Sequence, residues 1–194
     1  MKKLQILLLF VVGLQGQVMS HAEEVVIYGA TPAGIAAAVS AAKGGHSVLL
    51  VEPTNRIGGL LTSGLSFTDF RSFEALSGFF LDFSQRVEAE YVLQYGPDSE
   101  QVYHCWRGTH GEPSVNLRVL QRMLEEHANI RLLTEYRLES VTVGPFEAGR
   151  RKIFSASFSG HSGDSETISG KMFIDGSYEG DLMAMAGESY HVGR

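Results

Sequence analysis

The most constraining feature of this chain is a glycine-bearing turn between an apolar strand and an alanine-rich helix. Residues 24–34 read Glu-Val-Val-Ile-Tyr-Gly-Ala-Thr-Pro-Ala-Gly, and the apolar run at residues 47–52 ends in Glu52. Gly29 allows a sharp turn, and Gly34 lets helix and strand pack closely. The start of the helix offers unpaired N–H groups and a positive dipole end to a phosphate. Because Glu52 follows at a spacing suited to ribose hydroxyls, the pattern predicts a dinucleotide-binding βαβ unit.

Thr31 departs from the usual pattern of such turns, which has glycine at this position. Threonine crowds the approach of the backbone to the phosphates, although its hydroxyl could donate to a phosphate oxygen. Pro32 suits the first helical turn, where its missing N–H has no helical partner. A plain strand-to-helix turn of any α/β protein is the alternative. The surrounding strand, helix and acid, and the pair Gly58 and Gly59 further on, favour nucleotide binding.

The N-terminus has the three parts of a secretory signal peptide. Two lysines give a positive start, residues 4–14 are mostly apolar, and residues 20–22 supply small residues for cleavage. The apolar run is too short to cross a bilayer, which takes ~20 residues. We therefore expect residues 1–22 to be removed on export, and the mature protein to be periplasmic or extracellular. A retained N-terminal anchor is the alternative.

The rest of the chain has the length of one domain and an acidic balance. The formal net charge of the sequence is −6, which argues against nucleic acid or an anionic membrane as a partner. Cys105 is the only cysteine, so no internal disulfide is expected. His104, Cys105 and His110 match no standard zinc spacing, and no metal site is predicted. Asp69, His104 and His110 lie in irregular segments that could line a pocket, but each is equally well a solvated loop residue. No catalytic residue is assigned.

Hydrophobic periodicity predicts an α/β fold in which a parallel sheet is flanked by helices and joined to an antiparallel meander. Strands of the parallel sheet are expected at residues 25–28, 47–51, 130–133 and 171–175. Helices are expected at residues 35–43, 76–95, 115–127 (with Ser114 as N-cap) and from 182 onward. The meander is expected at residues 137–143, 152–158 and 166–169. Residues 53–74 and 96–113 are expected to be irregular.

Taken together, these motifs resemble those of exported bacterial FAD-dependent oxidoreductases with a glutathione-reductase-like fold. The resemblance is carried by residues 29–34, Glu52, residues 57–64 (Ile-Gly-Gly-Leu-Leu-Thr-Ser-Gly), Thr68-Asp69 and residues 173–181 (Phe-Ile-Asp-Gly-Ser-Tyr-Glu-Gly-Asp). It extends over residues 24–194, and the motifs occur in the order of the family. The threonine-proline pair in the glycine turn is shared by that group, whereas Gly176 stands where alanine is expected.

The resemblance implies FAD as the cofactor. Residues of the glycine turn would face the pyrophosphate, Glu52 would hold the adenosine ribose, and the glycine pair would lie along the ribityl-diphosphate. The loop at residues 62–64 would run towards the flavin ring, and the strand around Val141 would contact the adenine. The implied cofactor-binding residues are Gly29, Ala30, Thr31, Pro32, Ala33, Gly34, Glu52, Gly58, Gly59, Leu60, Ser63, Val141 and Asp175.

The implied activity is transfer of a hydride or an electron pair between a small organic substrate and FAD, with an unknown electron donor or acceptor. A non-catalytic or truncated nucleotide-binding module is one alternative. An NAD-linked dehydrogenase domain is another, disfavoured by the pair Gly58 and Gly59, and no second glycine turn for NAD(P)H is evident. Related proteins carry a substrate domain, so residues 23–194 are expected to form an incomplete FAD-binding domain. We expect that domain to expose apolar surface on its meander and on the helix around residues 79–91.

Overall fold

A six-stranded mixed sheet organises the part of the chain that the computed structural model describes, namely residues 22–65, 67–145 and 149–193. The strands lie side by side in the order β3-β2-β1-β6-β5-β4. In chain order they are β1 Ala22–Tyr28, β2 Val48–Glu52, β3 Ile130–Thr134, β4 Tyr136–Val143, β5 Ile153–Gly160 and β6 Ser165–Asp175. The pairs β3-β2, β2-β1 and β1-β6 are parallel, and β6-β5 and β5-β4 are antiparallel. The predicted combination of parallel sheet and antiparallel meander is confirmed.

Helices cover one face of the parallel strands. They are α1 Pro32–Lys43, α2 Gly59–Thr62, α3 Gly78–Tyr95, α4 Glu100–His104, α5 Pro113–Glu125 and α6 Asp181–Met185, and a 3₁₀ turn spans Phe73–Ala75. Ile27 and Leu50 from the sheet pack there with Ile35 of α1, Phe83 of α3 and Leu120 of α5. No helix within the described ranges is long and apolar enough to span a membrane.

The meander covers the opposite face of the same strands. Val26 and Val51 point to this side and pack against Leu138, Phe158 and Ile168 of β4, β5 and β6. Because β1 and β2 are covered on both faces, they read in the sequence as continuous apolar runs rather than alternating ones. Tyr28 joins the two layers through its hydroxyl, which accepts a hydrogen bond from the N–H of Leu138 at 3.3 Å.

The expected third strand of the meander and the expected final strand are a single element. β6 pairs antiparallel with β5 from Ser165 to Ser169, and it pairs parallel with β1 from Ser169 to Asp175. Gly170 lies where the pairing changes, and a Cβ at this position would come within 2.9 Å of the Val26 side chain. Gly170 separates the two strands that were expected at residues 166–169 and 171–175. In the structure it instead leaves room for the side chain of Val26 beside a continuous strand.

Two expectations about the helices are wrong. Residues 53–74 and 96–113 are not wholly irregular. The first segment contains α2, and the second contains α4, whose N-cap Ser99 accepts a hydrogen bond from the N–H of Val102. Ser114 is not the N-cap of α5, because the helix begins two residues earlier than expected, at Pro113, with Glu112 as the N-cap. The helix α1 begins at Pro32, the residue that the sequence placed in its first turn, and extends to Lys43.

The expected exposed apolar faces are largely buried. On α3, Phe83, Val87 and Tyr91 are buried, because the helix packs against α5 and the sheet. On the meander, Leu138 and Phe158 are buried against β1 and β2. The expectation of uncovered apolar surface is therefore wrong for these residues of α3. The meander does expose apolar side chains, since Phe154 of β5 is 48% exposed and Met172 of β6 is 58% exposed. The predicted signal peptide lies outside the described residues apart from Ala22, which is the first residue of β1.

Candidate functional site

The turn between β1 and α1 is built by close approach of backbone to backbone. Gly29 has φ of +94°, and a Cβ there would lie 2.6 Å from the nitrogen of Ser177 and 2.7 Å from the carbonyl carbon of Gly176. A Cβ on Gly34 would overlap the carbonyl oxygen of Gly29. Gly29 is further fixed by its N–H, which donates to the carbonyl of Val51 at 2.7 Å. Gly29 is therefore required by the close approach of the loop after β6, and Gly34 by packing within the turn itself.

Thr31 closes the turn from the side of the helix. It is the N-cap of α1, and its Oγ1 accepts a hydrogen bond from the N–H of Gly34 at 3.3 Å. The same hydroxyl donates to the carbonyl oxygen of Gly176 at 2.6 Å, in a buried contact. Its only proton is thus used within the protein, and not for a phosphate as the sequence had allowed. Threonine replaces glycine here because it ties the turn to the end of β6.

The N-terminal end of α1 remains open for an anion. Pro32 has no N–H, and that of Gly34 is taken up by Thr31. Within the described part of the chain, the N–H groups of Thr31 and Ala33 have no hydrogen-bond partner, and Ala33 is exposed. Unpaired amides at the positive end of a 12-residue helix form a site suited to phosphate.

Glu52, at the end of β2, is buried beside this turn. Its Oε2 accepts a hydrogen bond from the N–H of Ala30 at 2.8 Å, and its Oε1 accepts from the N–H and hydroxyl of Thr54 at 3.0 and 2.7 Å. A carboxylate oxygen has two lone pairs, so Oε2 retains acceptor capacity for a further donor. Glu52 therefore both orders the turn and offers an acceptor beside it.

A cleft of about 180 Å³ opens next to Glu52, and we call it the Pro53 cleft. Its lining residues are Pro53, Thr54, Asn55, Glu135, Arg137, Ser159, Gly160 and His161. Glu135, with φ of +64°, donates its N–H to the carbonyl of Thr54 and accepts from the N–H of His161. Val141 does not line this cleft and packs partly buried in the layer between meander and sheet.

The glycine pair, Gly58 and Gly59, is joined to the same turn. The N–H of Gly58 donates to the carbonyl of Ala30 at 2.7 Å, which places the pair against the turn after β1. Gly58 and Gly59 have φ of +89° and +49°, and the chain then enters α2. The N–H of Leu60 donates to the hydroxyl of Tyr178 at 2.9 Å. Ser63, the C-cap of α2, is exposed.

Asp175 orders the loop that follows β6. Its Oδ1 accepts hydrogen bonds from the N–H and hydroxyl of Ser177 at 3.0 and 2.7 Å, and its Oδ2 accepts from the N–H of Met183 at 2.9 Å. Both oxygens are thus engaged within the loop and the start of α6. The direct role of Asp175 in this structure is to shape the loop beside Gly29.

Asn116 is a structural residue of the site that sequence reasoning missed. It is buried on α5, and its Nδ2 donates to the carbonyls of Leu61 at 3.1 Å and Gly111 at 3.0 Å. It thereby joins α2 to the loop that precedes α5. The available signal was an asparagine on the apolar face of an amphipathic helix, where a buried polar side chain needs partners.

His110, Cys105 and Asp69, which the sequence offered as candidates to line a pocket or bind a metal, have different surroundings in the structure. His110 stacks on Trp106 with ring centroids 5.3 Å apart, and it contacts Phe67 in a tilted arrangement with centroids 4.2 Å apart. Cys105 is buried, and burial raises the pKa of its thiol. Asp69 is exposed. Among the residues that the structure describes, no group of three or more histidine, cysteine or acidic side chains is placed to bind a metal.

Sequence comparison identifies the family. A model of the FAD dependent oxidoreductase family matches residues 24–194, which is the whole of the given sequence apart from its first 23 residues. The chain belongs to this family. FAD is therefore the cofactor of the family to which the chain belongs. No curated protein matches the sequence.

Solved structures of other proteins share the fold. THI4 of Thermovibrio ammonificans is 16% identical with a TM-score of 0.52, and the match covers 87% of this chain and 64% of that one. L-proline dehydrogenase from P. horikoshii is 15% identical with a TM-score of 0.57, and the match covers 90% and 58%. At these identities the likeness concerns the fold. The chain spans less than two thirds of the length of either structure.

The chemistry of the site fits FAD. The open N-terminal end of α1 suits a pyrophosphate, and the free acceptor capacity of Glu52 suits ribose hydroxyls. The Pro53 cleft begins at the residue after Glu52, and the N–H of Gly58 donates to the carbonyl of Ala30 within the turn, so both features adjoin the open end of α1.

Proposed function

We propose that this protein is a flavoenzyme that transfers a hydride or an electron pair between a small organic substrate and FAD. The observation that carries the proposal is the open N-terminal end of α1, flanked by the acceptor Glu52 and by Gly58 and Gly59, in a chain of the FAD dependent oxidoreductase family. When bound, the isoalloxazine gains or loses the electron pair, while the protein binds and orients both reactants.

In this proposal each part of the site has one task. The N–H groups of Thr31 and Ala33 bind the pyrophosphate, and Glu52 accepts from the adenosine ribose. The Pro53 cleft takes the adenine. The start of β4, and not Val141, would therefore contact the adenine ring. The glycine pair follows the ribityl-diphosphate, and the loop at residues 62–64 leads towards the flavin ring. Gly29, Gly34 and Asp175 shape the site from beneath.

Titration of the purified protein with FAD and with NAD tests the proposal. We expect binding of FAD, seen as a shift and quenching of flavin fluorescence, and no comparable binding of NAD. Reduction of the bound flavin on adding an organic substrate, seen as loss of its visible absorbance, would identify a flavoenzyme. Binding of FAD without reduction by any substrate class would favour a non-catalytic module. Binding of NAD alone would favour an NAD-linked dehydrogenase and contradict the proposal.

We further propose that the protein is exported through the general secretory route and acts in the periplasm or outside the cell. The support is the lysine pair, the apolar run at residues 4–14 and the small residues at 20–22, without a twin-arginine motif. The variant Leu8→Asp places a charge in the apolar run, so it should block export and leave the longer precursor in the cytoplasm. The matched Leu93→Asp variant changes an exposed leucine of α3 and should be exported. Cytoplasmic accumulation of a processed, FAD-loaded protein would contradict this route.

A further inference from the structure

Three backbone segments around the site are joined pairwise. The N–H of Gly58 donates to the carbonyl of Ala30 at 2.7 Å, and the hydroxyl of Thr31 donates to the carbonyl of Gly176 at 2.6 Å. The third join links the glycine pair to the loop after β6, since the N–H of Leu60 donates to the hydroxyl of Tyr178 at 2.9 Å. This third join is made by one side chain and is exposed to solvent.

The ring of Tyr178 lies directly on the backbone of the glycine pair. A Cβ on Gly59 would overlap the hydroxyl oxygen of Tyr178 and would lie 2.9 Å from its Cζ. Gly59 also has φ of +49°. A side chain at position 59 is therefore incompatible with the observed place of the ring.

The loop that carries Tyr178 is fixed independently of that contact. The hydroxyl of Ser177 donates to Oδ1 of Asp175 at 2.7 Å and accepts from the N–H groups of Gly180 and Asp181 at 3.0 and 3.1 Å. Tyr178 thus projects from a rigid base towards the glycine pair. The pair is joined to the turn after β1 by the N–H of Gly58, and the adjoining N–H of Leu60 joins it to the loop after β6 through this tyrosine.

We propose that Tyr178 is a positioning residue for FAD. Its ring and hydroxyl hold the turn at Gly58, Gly59 and Leu60 against the loop after β6, so that the backbone path of the ribityl-diphosphate is formed before the cofactor arrives. A preformed path lowers the conformational cost of binding. The inference rests on the proposed function, because it assigns a role at the FAD site.

The variant Tyr178→Phe tests this role with the full chain. Phenylalanine keeps the ring on Gly59 and removes the acceptor for the N–H of Leu60. We expect the dissociation constant for FAD, measured by fluorescence titration, to rise about fivefold, as for loss of one hydrogen bond. The melting temperature without FAD should stay at the parent value. Tyr103→Phe, which changes a tyrosine on α4 that is 77% exposed, is the matched control and should bind FAD as the parent does.

The coupling between Tyr178 and Gly59 gives a second measurement. Gly59→Ala should weaken FAD binding less in a Tyr178→Leu background than in the parent, because the overlap with the ring is gone. Additive effects would overturn the inference. So would FAD binding by Tyr178→Phe at the parent affinity, or a fall in its melting temperature without FAD that accounts for the loss. Failure of the parent to bind FAD would instead overturn the proposed function, and this inference with it.

Discussion

Of the residues that build the turn after β1, Gly34 has the least room for a side chain. A Cβ there would overlap the carbonyl oxygen of Gly29, which is itself held by the end of β2. We expect Gly34→Ala to separate α1 from β1, to lower the free energy of unfolding by ~1–3 kcal/mol and to abolish FAD binding. Chemical denaturation and flavin fluorescence titration would measure both effects.

The matched control for that change lies at the other end of the same helix. Gly44, the C-cap of α1, has φ of −75°, and a Cβ there would lie 3.1 Å from the carbonyl oxygen of Ala41. Gly44→Ala should therefore bind FAD as the parent does and be close to it in stability. Equal affinities of Gly34→Ala and Gly44→Ala for FAD would show that the cofactor does not bind at the turn between β1 and α1.

Tyr136 gives the region beside the Pro53 cleft a dependence on alkaline pH. It donates a hydrogen bond to the carboxylate of Asp164, and this bond raises the pKa of Tyr136 from 10.0 to about 12. Because the folded-state pKa lies above that of the unfolded chain, the stabilisation is complete below pH 10 and is lost as the pH rises through about 12.

Ultraviolet titration of tyrosinate would detect this group. Burial also raises the pKa of Tyr28 and of Tyr91, so the parent should show several tyrosines ionising late. Tyr136→Phe should remove one late step, and Asp164→Asn should return that step towards an ordinary value. The late step should also vanish in denaturant. If Asp164→Asn left the step unchanged, the hydrogen bond would not be its cause.

At the scale of elements, the unit from β1 through α1 to β2 could be predicted because its determinants are local. The glycines, the proline and the acid lie within 30 residues of one another and describe the turn by themselves. The continuity of β6 could not be predicted, because it depends on two different neighbours, β5 and β1, that pair with its two halves. The roles of Asn116 and Tyr178 could not be predicted for the same reason, since only the fold brings their hydrogen-bond partners to them.

Asn116 is expected to affect the site through the elements that it joins. Asn116→Ala leaves the carbonyls of Leu61 and Gly111 without their donor, so we expect a loss of ~1–3 kcal/mol in the free energy of unfolding and weaker FAD binding. Asn129→Ala is the matched control. Asn129 also donates to two carbonyls, those of Ala42 and His46, at the opposite end of α1.

The two asparagine variants separate local geometry from general stability. Both should unfold more easily in denaturant, because each loses two hydrogen bonds to backbone carbonyls. Only Asn116→Ala should lose affinity for FAD. Equal affinities in the two variants would show that the loop joined by Asn116 does not contribute to the cofactor site.

For the whole molecule, FAD binding should appear as increased thermal stability. A ligand that binds only the folded state stabilises it by about 2.7 kcal/mol at a hundred times its dissociation constant, which for a chain of this size is roughly 5–10 °C. Thermal unfolding with FAD, with NAD and with neither would measure the shift. We expect it for FAD alone. An equal shift with NAD would show that the site does not discriminate between the dinucleotides.

The contact between Thr31 and Gly176 also dictates an order of events during synthesis. These residues are 145 positions apart, and β1 finds its second neighbour only in β6. Contacts of such sequence separation form slowly, because a long loop must close before they contribute. The cofactor turn is encoded near the start of the chain, yet it cannot be completed until β6 has left the ribosome. A nascent chain halted before Gly176 would carry the whole glycine motif without the carbonyl that closes it.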